Sequence, residues 1–250
     1  MPLNRPVALV TGAGRNIGRE IALALHASGH AVAVNVRASV AEGQSVVDEI
    51  TAAGGQALLC AADVAEQAAV QAMVGHITAH WGRLDVLVNN AAIRREAELA
   101  VLSAKDWHDT LGVVLDGAFF CVQAALPWLQ ASPQASVVNI GGLTAHTGAA
   151  DRVHVVTAKA GLVGLTRALA HDLAPQGITV NCVAPGLIAT ERKAASASTA
   201  PKHHAGHKAL LGRRGTVQEV AQAVVYLCGA HARFTTGQVL HVNGGTYLGG

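Results

Sequence analysis

The stretch best equipped for chemistry is Thr11-Gly12-Ala13-Gly14-Arg15-Asn16-Ile17-Gly18. It follows a short apolar run, Val7-Ala8-Leu9-Val10, and opens a segment of helical period over about 16–28. Glycines at a strand-to-helix turn let the backbone bend tightly and approach a pyrophosphate closely. The phosphates then rest on free N–H groups and on the positive end of the helix dipole. Asn16 stands where a middle glycine is usual, and asparagine tolerates unusual backbone angles better than most residues. A bound dinucleotide is the expectation. The second strand ends in Asn35-Val36-Arg37-Ala38-Ser39 and supplies no carboxylate to accept from ribose hydroxyls. Arg37 and Arg15 offer guanidinium groups suited to a 2′-phosphate. NADP(H) is therefore favoured, with NAD(H) held through backbone contacts as the alternative.

Titratable residues gather in the second half of the chain. Lys159 lies in a helical run over 155–173, with His154 just ahead of it and His146 in the preceding loop. Residues 191–211 (ERKAASASTAPKHHAGHKALL) are polar and interrupted by Pro201 and Gly206, and they carry Lys202, His203, His204, His207 and Lys208. They follow the sixth strand's C-terminal end, where open α/β sheets bind ligands, and read as a lid. With Arg94 and Arg95, this basic lid suggests an anionic small-molecule substrate, such as a carboxylate or a phosphopantetheine conjugate. No carboxylate or cysteine joins the lid histidines at ligand spacing, so no metal is expected.

These groups need a scaffold. Strand-like runs at 7–10, 31–36, 57–60, 85–88, 136–140, 179–183 and 239–242 alternate with helical segments. Such alternation means a single doubly wound α/β domain over residues 1–250, with about seven parallel strands and helices on both faces. The strands are continuously apolar, as strands covered on both faces must be. The chain has 250 residues, 51% of them hydrophobic, and a net charge of +2. That balance provides no basic field for nucleic acid. Cys60, Cys121, Cys182 and Cys228 are widely spaced, as reduced core thiols are. No signal-like leader or membrane span is evident, and a cytoplasmic protein is expected.

Several further segments carry a family resemblance. They are Asp63-Val64, Asn89-Asn90-Ala91-Ala92, Ala158-Lys159-Ala160-Gly161, Pro185-Gly186-Leu187-Ile188-Ala189-Thr190, Thr236-Gly237-Gln238 and Asn243-Gly244-Gly245. With the glycine turn, in this order, they resemble the short-chain dehydrogenase/reductase family, closest to its 3-oxoacyl-ACP reductase type. The resemblance implies a seven-stranded parallel sheet and a homotetramer or homodimer paired through the long helices. It implies that Gly12, Arg15, Asn16, Ile17 and Gly18 line pyrophosphate and ribose. Asp63 and Val64 would hold the adenine edge, and Asn90, Ala91 and Ala92 the adenosine side of the floor. Pro185, Gly186, Ile188 and Thr190 would meet the nicotinamide carboxamide and the phosphates, and Lys159 the nicotinamide ribose.

The same resemblance exposes a departure. Hydride exchange with a carbonyl needs a proton-moving group at the oxygen. The family places a tyrosine four residues before its lysine, a serine thirteen before that, and an assisting asparagine. Here those positions hold Val155, Gly142 and Val114. Lys159, His154 and His146 are the candidates for the missing role. His154, five residues from Lys159, is about 140° off its helical face and serves only if the helix starts later. Two readings follow: an oxidoreductase with a substitute acid-base group, or a dinucleotide-binding protein without dehydrogenase activity.

Overall fold

Val7–Val10 (β1), Ala31–Val36 (β2), Ala57–Ala61 (β3), Val86–Asn89 (β4), Ser136–Ile140 (β5), Thr179–Pro185 (β6) and Val239–Val242 (β7) form one parallel sheet in the order β3-β2-β1-β4-β5-β6-β7. The computed structural model describes residues 3–190 and 208–249. β1 pairs with β2 through Val7 and Ala31, and on its other side with β4 through Ala8 and Val86. The chain therefore runs outward in one direction from β1 and, after returning, in the other from β4. The connections leave β1 and β4 on opposite sides and open a crevice at their carboxyl ends, the usual ligand position in such sheets.

Helices cover both faces because each presents one apolar stripe. Asn16–Ala27 (α1), Val40–Ala52 (α2) and Val217–Cys228 (α8) bury Ile21, Leu25, Val46, Ile50, Val220 and Val224 on one face. Gln67–Trp81 (α3), Gly117–Ala131 (α5) and Val153–Leu173 (α7) bury Val70, Ile77, Cys121, Leu129 and Leu173 on the other. The continuous segments Ala104–Ala131 and Val153–Gln176 are long and apolar enough to cross a membrane. Here their apolar stripes face the sheet and each other, which accounts for their composition without a bilayer.

Two departures from the expected pattern lie beside the crevice. The helical segment Ala104–Ala131 is not α-helical throughout: Ala104–Leu111 (α4) passes through a π-turn at Gly112–Asp116 into α5. π-turns concentrate at functional sites because they redirect a side chain. This one drives Val114 against Ala158 and Leu162 of α7. A short helix, Thr144–Thr147 (α6), follows β5 and was not legible in the pattern. Of the expected lid, residues 191–207 lie outside the described residues, with Lys202, His203, His204 and His207 among them. Lys208 is exposed, and Leu211 N donates to Gly244 O at 3.2 Å.

Candidate active site

The turn after β1 is held in shape by side chains from two other strands. Gly12 has φ +62° and Asn16 φ +49°, so the turn uses left-handed backbone at both positions. A Cβ on Gly12 would sit 2.9 Å from Ala91 Cα, and one on Gly18 2.3 Å from Gly12 O. No side chain fits at either position, so the backbone there can be approached closely. Arg15, exposed and extended, caps α1 ahead of Asn16, and Ile17 and Gly18 are buried beneath the turn.

Three residues lock this geometry. Asn90 Nδ2 donates to Thr11 O at 2.9 Å and to Gly12 O at 3.0 Å. Thr11 Oγ1 accepts from Asn90 N at 2.9 Å and Ala91 N at 3.0 Å. Asn35 Oδ1 accepts from Gly12 N at 3.2 Å, while its Nδ2 donates to Cys60 O and Ala62 O, both at 3.1 Å. β1, β2, β3 and β4 are thus tied together at the mouth of the crevice. Asn90 is expected on the adenosine side of the floor, and its side chain also braces the turn. Thr11 and Asn35 were not singled out in the sequence, where their only signal was a polar residue at the end of an apolar strand.

At the ends of β2 and β3, Arg37 Nη1 lies 3.6 Å from Asp63 Oδ2. Asp63 Oδ1 also accepts from Ala65 N at 3.0 Å, and Val64 is buried beside it. Arg37 is 63% exposed, so beyond its ion pair with Asp63 the guanidinium faces solvent. Beyond β6, Gly186 packs so tightly that a Cβ would meet Asn243 Cα at 2.6 Å. Ile188 forms a bridge to Gly215, and Pro185 O accepts from Leu143 N at 2.9 Å. These contacts fix the Pro185–Thr190 loop beside the loop after β5. The expected cofactor residues therefore share one edge of the sheet, as parallel strand ends must.

Lys159 lies at the centre of the other half. Its side chain is buried, and Nζ donates to Ile140 O at the end of β5. Burial, then the charge of Arg94 and least that of Arg152, push its pKa down to about 7, against a raising effect from Cys182 that exceeds Arg152's. α7 is set against β5 by a buried polar chain. Asn89 Nδ2 donates to Asn139 Oδ1, and Asn139 Nδ2 to Thr166 Oγ1, both at 2.9 Å. Val155, one turn before Lys159, is buried, and Val114 is buried against Ala158. A methyl group on Gly142 would meet nothing within 4 Å, so that position is open space.

The two histidines expected near Lys159 each have packing partners of their own. α7 begins at Val153, so His154 is inside the helix and on a different face from Lys159. The ring is buried, with the Arg95 backbone, Arg152 and Asp106 acting on it. Burial, the largest influence, leaves its pKa below the ordinary value. His146 packs against His241, ring centroids 4.6 Å apart, and against Tyr247 at 5.4 Å. Burial, then Arg167, lowers its pKa. Arg167 is eight residues beyond Lys159 on α7, roughly 12 Å along the axis. Arg152 was missed in the sequence. It is buried at the start of α7, and its charge reaches both Lys159 and His154. Ala97 N donates to Asp151 O at 2.8 Å, which ties the Arg94–Arg95 loop to the same helix start.

Residues 12–247 match the family described as enoyl-(acyl carrier protein) reductase. The chain is 39% identical over 241 residues to a 3-oxoacyl-[acyl-carrier-protein] reductase FabG of Staphylococcus aureus, covering 96% of this chain and 98% of that protein. It is 38% identical over 248 residues to the (2S)-[(R)-hydroxy(phenyl)methyl]succinyl-CoA dehydrogenase subunit BbsD of Thauera aromatica, 99% of each being covered. A short-chain dehydrogenase from Burkholderia cenocepacia, solved in complex with NADP, superposes with a TM-score of 0.89 at 34% identity, covering 96% of this chain and 97% of that one. A dehydrogenase/reductase from Sinorhizobium meliloti gives 0.91 at 32%, covering 99% and 97%. With the strand order, the braced glycine turn and the buried lysine of α7, these matches assign the chain to the short-chain dehydrogenase/reductase family.

Proposed function

We propose that the chain binds NADP(H) at the Gly12–Gly18 turn and interconverts a carbonyl and an alcohol on an anionic small molecule, with Lys159 moving the proton. The family makes it an NAD(P)-dependent oxidoreductase. The residues present fit the dinucleotide. Gly12 and Gly18 leave no volume for a side chain, and α1 begins at the turn with no acidic residue in its first turn. Arg15 and Arg37 would take a 2′-phosphate, while Asp63, Val64, Asn90, Ala91 and Ala92 line the adenosine side. Pro185, Gly186, Ile188 and Thr190 line the nicotinamide side. When bound, NADP(H) supplies or accepts the hydride.

The observation that carries the proton role is the buried Lys159 amine, one turn after Val155, with a pKa near 7. A general acid-base group works best when its pKa is near the operating pH. In reduction, the Lys159 ammonium would donate a proton to the substrate oxygen as that oxygen gains charge. The neutral amine would then regain a proton from solvent. Arg152 and Arg94, which both act on Lys159, would face a substrate carboxylate or phosphate. The chain is taken to assemble as a homodimer or homotetramer through α5 and α7, where Phe119 and Val153 are exposed.

The test is NADPH oxidation over a panel of keto acids and their neutral esters. Turnover should favour the acids and follow a single ionisation near pH 7. Tight NADPH binding with no turnover on any compound would refute it. That outcome favours a second reading, a dinucleotide-binding subunit without dehydrogenase activity. Val155, Gly142 and Val114 motivate this alternative, since none can move a proton. The Thauera relative is itself named as one subunit of a dehydrogenase.

A further inference from the structure

α7 buries mostly apolar residues, among them Val155, Ala158, Leu162, Ala170 and Leu173, yet it meets the sheet through a chain of polar side chains. Asn89 closes β4, Asn139 is the penultimate residue of β5, and the two are register partners. Thr166 lies past the middle of α7. All three are buried, Asn139 and Thr166 completely. Their hydrogen bonds run one way. Thr166 Oγ1 donates to Leu162 O at 2.7 Å, a carbonyl that can only accept. Thr166 Oγ1 in turn accepts from Asn139 Nδ2, and Asn139 Oδ1 accepts from Asn89 Nδ2, both at 2.9 Å. With the Thr166 proton committed to Leu162 O, reversing the Asn139 amide would set acceptor against acceptor, so one arrangement alone satisfies the chain.

Adhesion alone does not call for such a chain. Leucine or valine at these positions would hold α7 to the sheet without stripping water from two amides and a hydroxyl. An apolar stripe tolerates small slides and rotations, whereas a satisfied buried network specifies one geometry. The geometry specified here bears on Lys159. Thr166 is seven residues beyond Lys159, two helical turns, and shares its face of α7. Asn139 immediately precedes Ile140, whose carbonyl oxygen accepts from Lys159 Nζ. α7 therefore meets adjacent residues of β5 twice, once through the lysine and once through the threonine. We infer that Asn139 and Thr166, backed by Asn89, are positioning residues: they set the rotation and register of α7 that keep the Lys159 amine at Ile140 O. A four-carbon stem reaches water from many backbone positions, so the amine stays buried only while its helix is held. The inference takes Lys159 as the proton-moving group from the function proposed above.

NMR of full-length protein carrying ¹³C at lysine Cε reads the ionisation of the Lys159 amine directly, its resonance identified by its loss in Lys159→Met. Thr166→Val keeps the side chain's shape without the hydroxyl, and Thr166→Ser restores the hydroxyl. In Thr166→Val the Lys159 midpoint should rise from about 7 toward 10.5 as the amine gains water, by about one unit or more. Thr166→Ser should return it to the wild-type value. Asn139→Leu, which leaves the bond from Thr166 to Leu162 O intact, should repeat the rise and covers the case in which Thr166→Val folds poorly. With NADPH and a keto acid, kcat should fall about tenfold or more in Thr166→Val, its pH limb moving with the midpoint, and recover in Thr166→Ser. A lower Tm with the Lys159 midpoint unchanged in both disrupting variants would overturn the inference and leave the chain a structural role only. Absence of turnover in the wild type counts against the proposed function alone, because the amine titration needs neither substrate nor cofactor.

Discussion

At the scale of single residues, Lys159 and Asp85 show what burial does to a charge. The Lys159 amine has given up water for one carbonyl, Ile140 O, and lies in the field of two arginines, so its proton is held loosely. If it moves the proton, Lys159→Met should lower kcat by about 10²–10⁴. Lys159→Arg, which cannot deprotonate, should remove the pH limb near 7 even where NADPH still binds; stopped-flow rates from pH 5.5 to 9 check both. A complementary variant, Val155→Tyr with Gly142→Ser, fills the open space with proton-moving groups. A large gain in turnover is expected if the substrate is already presented for hydride transfer. Asp85 is the opposite case. Burial alone pushes its carboxyl up, but Arg83, Ser132 and the Val7 amide together bring it below the ordinary value. It accepts from Arg83 Nη2 at 2.7 Å, Ser132 Oγ at 2.6 Å and Val7 N at 2.8 Å, tying β1 to the segments ahead of β4 and β5. Asp85→Ala should destabilise the fold by about 3 kcal/mol, read from urea unfolding midpoints.

At the scale of elements, the cofactor turn depends on close packing between strand ends. Gly18→Ala would push a methyl group into Gly12 O and Asn90 Nδ2, the latter 2.5 Å from the added carbon. The turn must open, and NADPH affinity should fall at least tenfold, about 1.4 kcal/mol, in fluorescence titration. α8 is specified more locally. Thr216 Oγ1 accepts from Glu219 N, and the Glu219 carboxylate accepts from Thr216 N, a reciprocal cap at the helix start. Loss of the cap in Thr216→Ala should lower stability by about 1 kcal/mol without touching the crevice. The π-turn at 112–116 belongs to neither class. It needs α7 to pack against, and nothing in Gly112-Val113-Val114-Leu115-Asp116 read alone distinguishes it from ordinary helix.

At the scale of the whole molecule, stability should depend on pH through groups held neutral. His30 and His154 have pKa values lowered chiefly by burial. The unfolded chain therefore binds more protons than the folded one below the ordinary value of 6.5, and stability falls as pH drops through it. Lys159 acts in the same direction at higher pH. Its amine titrates near 10.5 when unfolded and about 7 when folded, so stability rises with pH between those values. The Tm should be lower at pH 5 than at pH 7. Lys159→Met should flatten the rise between pH 7 and pH 9, measured by differential scanning calorimetry.

The sequence by itself determined the parallel sheet, the glycine turn and the direction in which every strand points its carboxyl end. Those follow from periodicity and from residue types whose backbone preferences act over a few neighbours. It also shows Val155, Gly142 and Val114, none of which carries an ionisable group, at the positions where the family resemblance expects a tyrosine, a serine and an asparagine. Only tertiary structure decided where the histidines went. Starting α7 at Val153 turned His154 toward Arg95, and packing α6 against β7 drew His146 to His241 and Tyr247. Neither is visible along the chain, because the partners lie 59 and 95 residues apart from one another in sequence or are set by a helix start. The roles of Thr11, Asn35 and Arg152 likewise emerged only once four strand ends and one helix start were brought within hydrogen-bonding or Coulomb range.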